Sequence, residues 1–278
     1  MGSGRAPGGE AEAWTEEITL HATDPGYDQP GARMLSVIVA ACPVARECDV
    51  VVAGAGTAGL PAAAVAAAHG SQVVCTEKHA EPGGANTTGG VALYWFGRWS
   101  AFFRRHFRRL RAFEEEHTLP PAFAQLKVAC DAGVELLPRT TTVGAATRAR
   151  KDELGGERRS VAAILVVSSS GLAAVVGRHF ADATGDGDLA AWCGAPYTYG
   201  SERDDITMWC SFGKFHSGNR EASRQYLTVA DQRGVGDITR AIVAGRRQSG
   251  ILGDAEYPQF YLVNRESRHI QGEKRVRY

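Results

Sequence analysis

The residues with the clearest chemical capacity are Gly54-Ala55-Gly56-Thr57-Ala58-Gly59, three glycines at a spacing that suits a ligand-cradling turn. Gly54 permits a tight turn, Gly56 lets the backbone approach a pyrophosphate without an intervening Cβ, and Gly59 lets a following helix pack closely on the preceding strand. The unpaired N–H groups and positive dipole end of such a helix stabilise the negative charge of the phosphates. Glu77 stands close to the ~20 residues beyond the loop at which an acid takes the adenosine ribose. Its carboxylate can accept both ribose hydroxyl hydrogens and would repel a 2′-phosphate, which favours FAD or NAD over NADP. A plain tight turn in an α/β protein is the simpler alternative, and a strand, a helix and an acid all in register speak against it.

The elements that must hold these residues are legible nearby. Val50-Val51-Val52-Ala53 is a short apolar run that suits a buried parallel strand. Leu60 to His69 is almost all alanine, valine and leucine and closes at Gly70, a helix stop. Gln72 to Thr76 is a second strand, which completes a βαβ unit. Further on, Trp99 to Glu116 has Trp99, Phe103, Phe107, Leu110 and Phe113 on one helical face and five arginines on the other, a pattern that commonly marks a solvated face. Ala122 to Ala132 is helix-like and ends at Gly133. Val134 to Leu137, Thr140 to Thr147, Val161 to Ser168 and Leu172 to Arg178 read as a small antiparallel meander, after which His179 to Ala183 returns as a separate strand. Beyond Ala195, Thr207 to Phe212 reads as a strand, and Glu221 to Arg233 and Asp237 to Arg247 as helices.

Gly83-Gly84 follow the second strand, and Ala183-Thr184-Gly185-Asp186-Gly187-Asp188 is another strand leading into a glycine turn. With the first loop, Glu77-Lys78, Gly89-Gly90 and the Arg265-Glu266-Ser267-Arg268-His269-Ile270 segment, the chain resembles the FAD-dependent oxidoreductases of the glutathione-reductase-like flavoprotein group over most of residues 45–278. The resemblance implies an α/β fold, a Rossmann-like FAD-binding parallel sheet with an antiparallel β-meander and a smaller α+β substrate region. It implies that Gly54, Ala55, Gly56, Thr57, Ala58 and Gly59 line the pyrophosphate, with Glu77 on the adenosine ribose and Lys78 beside it. Gly83 and Gly84 would pass near the flavin-side phosphate, Val143 would offer backbone to adenine, and Thr184, Gly185 and Asp186 would close over the cofactor. The Asp186 carboxylate can accept from ribityl hydroxyls; a turn-former bonded to its own backbone is the alternative.

Because FAD carries the redox chemistry, the protein mainly orients substrate and tunes flavin charge. Arg268 is the candidate to anchor a substrate carboxylate or stabilise reduced flavin, with Glu266 as its partner or as proton acceptor; a surface or interdomain ion-pair network is the alternative. His216 beside Lys214 is a weaker candidate. The expected function is FAD-dependent hydride transfer to or from a small molecule, set against an NAD-dependent dehydrogenase or a non-catalytic dinucleotide-binding remnant. Proteins of the resembled family continue past residue 278 to a second glycine turn facing the flavin, so this chain alone is expected to bind the adenine end better and to turn over slowly.

Thirty-one Lys plus Arg against 31 Asp plus Glu leave a formal charge of zero, which speaks against a nucleic-acid or polyanion binder. No apolar run approaches the ~20 residues of a membrane helix. No GxSxG elbow supports hydrolase chemistry. The six cysteines form neither a CxxC pair nor a cluster with histidines, so no metal site is expected and all six are read as free thiols in a cytoplasmic protein. Leu35 to Cys42 resembles a lipoprotein cleavage site but is too short and lacks a basic leader, so a strand or wrapping segment is the better reading. Three regions follow: a partly disordered N-terminal tail and wrapping segment (1–47), an FAD-binding domain with meander (48–200) and a partial substrate or cap region (201–278).

Overall fold

The computed structural model describes residues 18–19, 41–88, 101, 104–105, 108–110, 112, 121–151, 157–199, 209–213, 225–229, 236, 239–240, 243, 263–264 and 267–272. A short strand β1 (Ile18–Thr19) precedes β2 (Val44–Ala53), which is fully buried where the Val51-Val52-Ala53 run ends it. Helix α1 (Gly59–Ala68) follows and stops at Gly70, whose N–H reaches Ala67 O at 2.9 Å while Ser71 N–H reaches Ala66 O at 3.2 Å. That double closure requires the left-handed backbone of Gly70, at φ 90°. β3 (Val73–Thr76) then pairs parallel with β2 from Val50↔Val73 to Ala53↔Thr76, as the βαβ reading requires.

Helix α2 (Pro121–Ala132) packs against α1 and leads into β4 (Glu135–Leu137). The meander proper is β5 (Thr141–Lys151), β6 (Glu157–Ser168) and β7 (Gly171–Asp182), paired antiparallel in that order. One seven-stranded sheet joins all of these in the order β1-β5-β6-β7-β2-β3-β4. Two expectations change here. β4 is not a meander strand: it pairs parallel with β3, because a chain returning through a helix re-enters the sheet in the same direction. Nor are 172–178 and 179–183 separate strands, since no turn residue interrupts them and β7 runs through both. It pairs antiparallel with β6 and parallel with β2, which makes it the seam between the two halves of the sheet. Gly177 makes the close approach possible, for a Cβ there would lie 2.6 Å from Val51 Cγ2.

Alternate residues of β2 serve opposite faces. Val51 and Ala53 pack with Val74, Ile164 and Val175 on one side, while Val52 packs with Leu60, Ala63, Cys75 and Ala129 beneath the helices. Helix α3 (Asp188–Trp192) follows β7 and seats Leu189 in the first cluster. Two small antiparallel sheets complete the described chain: β8 (Tyr197–Tyr199) pairs with β12 (Arg268–Ile270), while β9 (Trp209–Gly213) lies between β10 (Gln225–Val229) and β11 (Val263–Asn264). β10 corrects the helix expected over 221–233, where Tyr226, Thr228 and Val229 favour a pleated surface. The described residues of the 99–116 and 237–247 segments are helical. Of the first segment's aromatics, Trp99, Phe103, Phe107 and Phe113 lie outside the described residues. Leu110 packs on Ala124 and Val128, and Arg109 pairs with Asp131 at 2.9 Å.

Cys42, Cys48, Cys75, Cys130 and Cys193 are free thiols. Burial, with the Glu77 charge adding to it, pushes the Cys75 thiol up to about 12, and burial pushes Cys193 up to about 11. Among the described residues no helix is long and apolar enough to cross a membrane, and no group of His, Cys, Asp and Glu is placed to hold a metal.

Candidate cofactor-binding site

A cleft of about 840 Å³ opens along the carboxyl ends of β3, β2 and β7. In open parallel sheets this end collects ligands, because loops diverge there and helix N-termini point into the gap. The β2–α1 loop forms its floor. Gly54, at φ 104°, is held from two sides: its N–H donates to Thr76 O at 3.1 Å, and a Cβ on it would lie 2.3 Å from Ala183 O. Gly59 is as tightly constrained, with a Cβ position 1.9 Å from Gly54 O. Gly56 differs, since a Cβ there would meet nothing within 4 Å and would project into open space. The first and last glycines are therefore packing devices, and the middle one keeps the cleft clear.

Gly56, Thr57 and Ala58 line the cleft, with Ala58 at the N-terminus of α1. No side chain caps that helix and its first turn holds no acid, so its positive end is left for a ligand. Ala55 is buried beneath the loop; its N–H donates to Glu77 Oε2 at 3.1 Å, and its carbonyl accepts from Gly83 N–H at 2.7 Å. Gly84 meets Gly56 across the cleft, a Cβ on it lying 3.0 Å from Gly56 Cα. The two glycine segments thus form one cradle.

At one end lies Glu77, 4% exposed. Its second oxygen accepts from His79 N–H at 2.9 Å, so each oxygen holds one backbone donor and keeps a further acceptor position. Lys78 is exposed on the rim beside it. Thr140, Thr141 and Thr142 form the adjoining wall, with Thr142 Oγ1 3.1 Å from Thr76 Oγ1. Val143 lies beyond that wall at a bulge in the β5–β6 ladder, packed toward Ala146 and Leu165. The three threonines preceding it, an uninterrupted polar run at a strand start, are the signal that sequence reasoning passed over.

The other end is the Thr184–Asp188 loop, and Asp182 organises it. Its carboxylate accepts from Thr184 N–H at 3.1 Å, Thr184 Oγ1 at 2.8 Å and Ala190 N–H at 2.8 Å, while Thr184 Oγ1 accepts from Asp188 N–H at 3.0 Å. Thr184, Gly185 and Asp186 line the cleft together with Asp182 and Asp188. Burial holds the Asp188 carboxyl above the usual carboxylate range despite the neighbouring Arg268, and the charges of Asp186 and Asp182 add to the rise.

Arg268 reaches this loop from β12. Its side chain, 7% exposed, pairs with Asp188, donates to Asp186 O at 3.3 Å and lies over the Tyr197 ring at 5.5 Å. The guanidinium read as a substrate anchor is thus engaged with the protein and does not line the cleft. Glu266, Arg265, Lys214, His216 and Gly89-Gly90 lie outside the described residues.

The donor set fits a flavin dinucleotide. The uncapped helix end suits its pyrophosphate, Glu77 suits a ribose diol, and the carboxylates of the far loop suit hydroxyls rather than phosphate. Thr88 Oγ1, buried and without a hydrogen-bond partner among the described residues, adds a polar group on the wall near Gly84.

Fold and cleft together define a dinucleotide-binding α/β protein. Residues 49–249 match the family of FAD dependent oxidoreductases, and the chain belongs to that family, whose cofactor is FAD. Among solved structures it is similar to BexE, studied for oxidation during BE-7585A biosynthesis, at 16% identity and a TM-score of 0.50, covering 82% of this chain and 54% of that one. CabE, an aromatic hydroxylase from angucycline biosynthesis, gives 16% identity, a TM-score of 0.48 and the same coverage, 82% and 54%. THI4 of Thermovibrio ammonificans is 18% identical, with a TM-score of 0.38 over 56% of this chain and 67% of that one. The likeness to BexE concerns the fold, and the chain spans about half the length of the first two. No curated protein matches it.

Proposed function

We propose that the chain is a flavin oxidoreductase that binds FAD in this cleft and supports hydride transfer between the flavin and a small-molecule substrate. The observation that carries this is the polarity of the cleft: an acceptor pair at Glu77, an uncapped helix end at Gly56–Ala58, and carboxylates at Thr184–Asp188, in that order along three adjacent strand ends. When bound, FAD supplies two-electron oxidation and reduction. Glu77 accepts the adenosine ribose hydroxyls with a carboxylate already oriented by two backbone donors. The N–H groups at the start of α1 take the pyrophosphate charge, and Gly56 leaves it room. Asp186 accepts ribityl hydroxyls and repels phosphate, which fixes the direction in which the dinucleotide lies.

The partner is a small molecule rather than a nucleic acid, in keeping with a formal charge of zero, and the site of action is cytoplasmic. Mass spectrometry of ligand released on denaturation, with titration of the emptied chain by FAD and NAD, tests the reading. FAD should be recovered and should rebind more tightly than NAD, and both Gly56→Val and Glu77→Ala should weaken it at least tenfold. Parent-like affinity in either variant would refute the assigned site.

A further inference from the structure

On the FAD reading proposed above, we infer that Arg268 is a positioning residue for the cofactor: with Ile270, it clamps the Thr184–Asp188 loop in the shape that receives the flavin half of the dinucleotide. The two residues come from one short strand and grip the loop at separate points. Arg268 pairs with Asp188 and donates to the carbonyl of Asp186, which holds the loop by a side chain and by backbone at once. Ile270 packs where a Cβ on Gly187 would stand, 2.7 Å from Ile270 Cγ1, and it also lines the cleft. Gly187, at φ 65°, is left-handed, so the loop's course there is set by tertiary contact as well as by its own sequence.

The loop needs such a brace. Asp182, Asp186 and Asp188 line one end of the cleft within one short segment, and the charges of Asp186 and Asp182 bear on Asp188, which a cation behind the loop offsets. Asp182 secures the near side through Thr184 and Ala190, whereas Arg268 is the cation that secures the far side. Tyr197 and the β8–β12 ladder, Arg268↔Tyr199 to Ile270↔Tyr197, hold the arginine in place. Glu77 and the threonine wall line the same cleft at its opposite end.

That separation supplies the test. FAD and ADP are titrated calorimetrically into the emptied full chain and into Arg268→Met, Arg268→Lys, Asp188→Asn and the Arg268→Met/Asp188→Asn double variant, with visible circular dichroism of the bound flavin recorded in parallel. Arg268→Met and Asp188→Asn should each weaken FAD about tenfold and alter the flavin dichroism, with ADP affinity within about twofold of the parent. The double variant should lose no more than either single one, and Arg268→Lys should recover part of the loss. If Arg268→Met does not fold, Arg268→Lys and Asp188→Asn carry the same comparison. Unchanged FAD affinity in the variants overturns the inference, and so does an equal loss of FAD and ADP, which marks a merely structural arginine. A parent chain that binds ADP but not FAD overturns the cofactor reading itself, a result visible before any variant is made.

Discussion

Gly54, Gly56 and Gly59 have one chemical identity and three different roles, so alanine at each should read differently. At Gly54 and Gly59 the new methyl meets backbone at 2.3 and 1.9 Å, which should cost at least about 2 kcal/mol of stability by urea unfolding. At Gly56 it meets open space, so stability should stay within about 0.5 kcal/mol while FAD affinity falls. A Gly56→Ala chain that unfolds early would show that the loop packs differently. Asp188 carries a second prediction at this scale. Its folded value is raised by burial, so between its ordinary value near 3.8 and that raised value the folded chain holds a proton the unfolded chain has lost. Its contribution is therefore fully present below the ordinary value and is lost as pH rises through the folded one. The stability difference between parent and Asp188→Asn should shift toward the parent on acidification from neutrality, and denaturant midpoints across that range check it. A shift in the opposite direction would mean that the Arg268 pair outweighs burial.

Among the elements, α1 bears most directly on binding, because its exposed N-terminus lacks the cap that a solitary helix would gain from. Ala58→Asp should therefore stabilise the chain by about 0.5 kcal/mol through the helix dipole and at the same time weaken FAD by setting a carboxylate against its phosphates. Thermal unfolding without ligand and an FAD titration read the two effects separately; unchanged affinity would place the phosphates elsewhere. Strand β7 has the other decisive part. One continuous strand pairs with the meander over Gly171–Val176 and with β2 from Ala174 to Asp182, so the β2 ladder delivers the loop at its end beside Gly54.

Over the whole molecule, the cleft draws on segments from Gly54 to Ile270, so a ligand that fills it should stabilise the fold as a unit. FAD at a hundred times its Kd should add about 2.7 kcal/mol to unfolding. NADP should add markedly less, since its 2′-phosphate would face the Glu77 carboxylate. Calorimetric melts with each nucleotide measure this, and equal shifts would remove Glu77 from the ribose site. Native-state thiol labelling with peptide mapping checks the core at the same scale. Exposed Cys130 should react at neutral pH while buried Cys75 waits for unfolding.

The glycine loop, Glu77, the stop at Gly70 and the βαβ unit were all legible in the sequence. Most of their contacts fall within about thirty residues, as with Gly59 on Gly54 and Glu77 on Ala55 and His79, where the identity of a residue nearly settles its backbone geometry; Ala183 against Gly54 is the long-range addition. The strand ends that flank the loop were not. Pairing of β4 with β3 and the double pairing of β7 depend on which hydrophobic faces meet across long stretches of chain, and a strand's own residues are compatible with either direction. For the same reason the sequence left Arg268 open between a substrate anchor partnered by Glu266 and a member of an ion-pair network, and could not name Asp188, 80 residues earlier, to which folding brings it. Charge and type were given by the residues, but a buried guanidinium goes to whichever carboxylate shares its enclosure, and only the tertiary packing of β12 against the loop decided that this was Asp188.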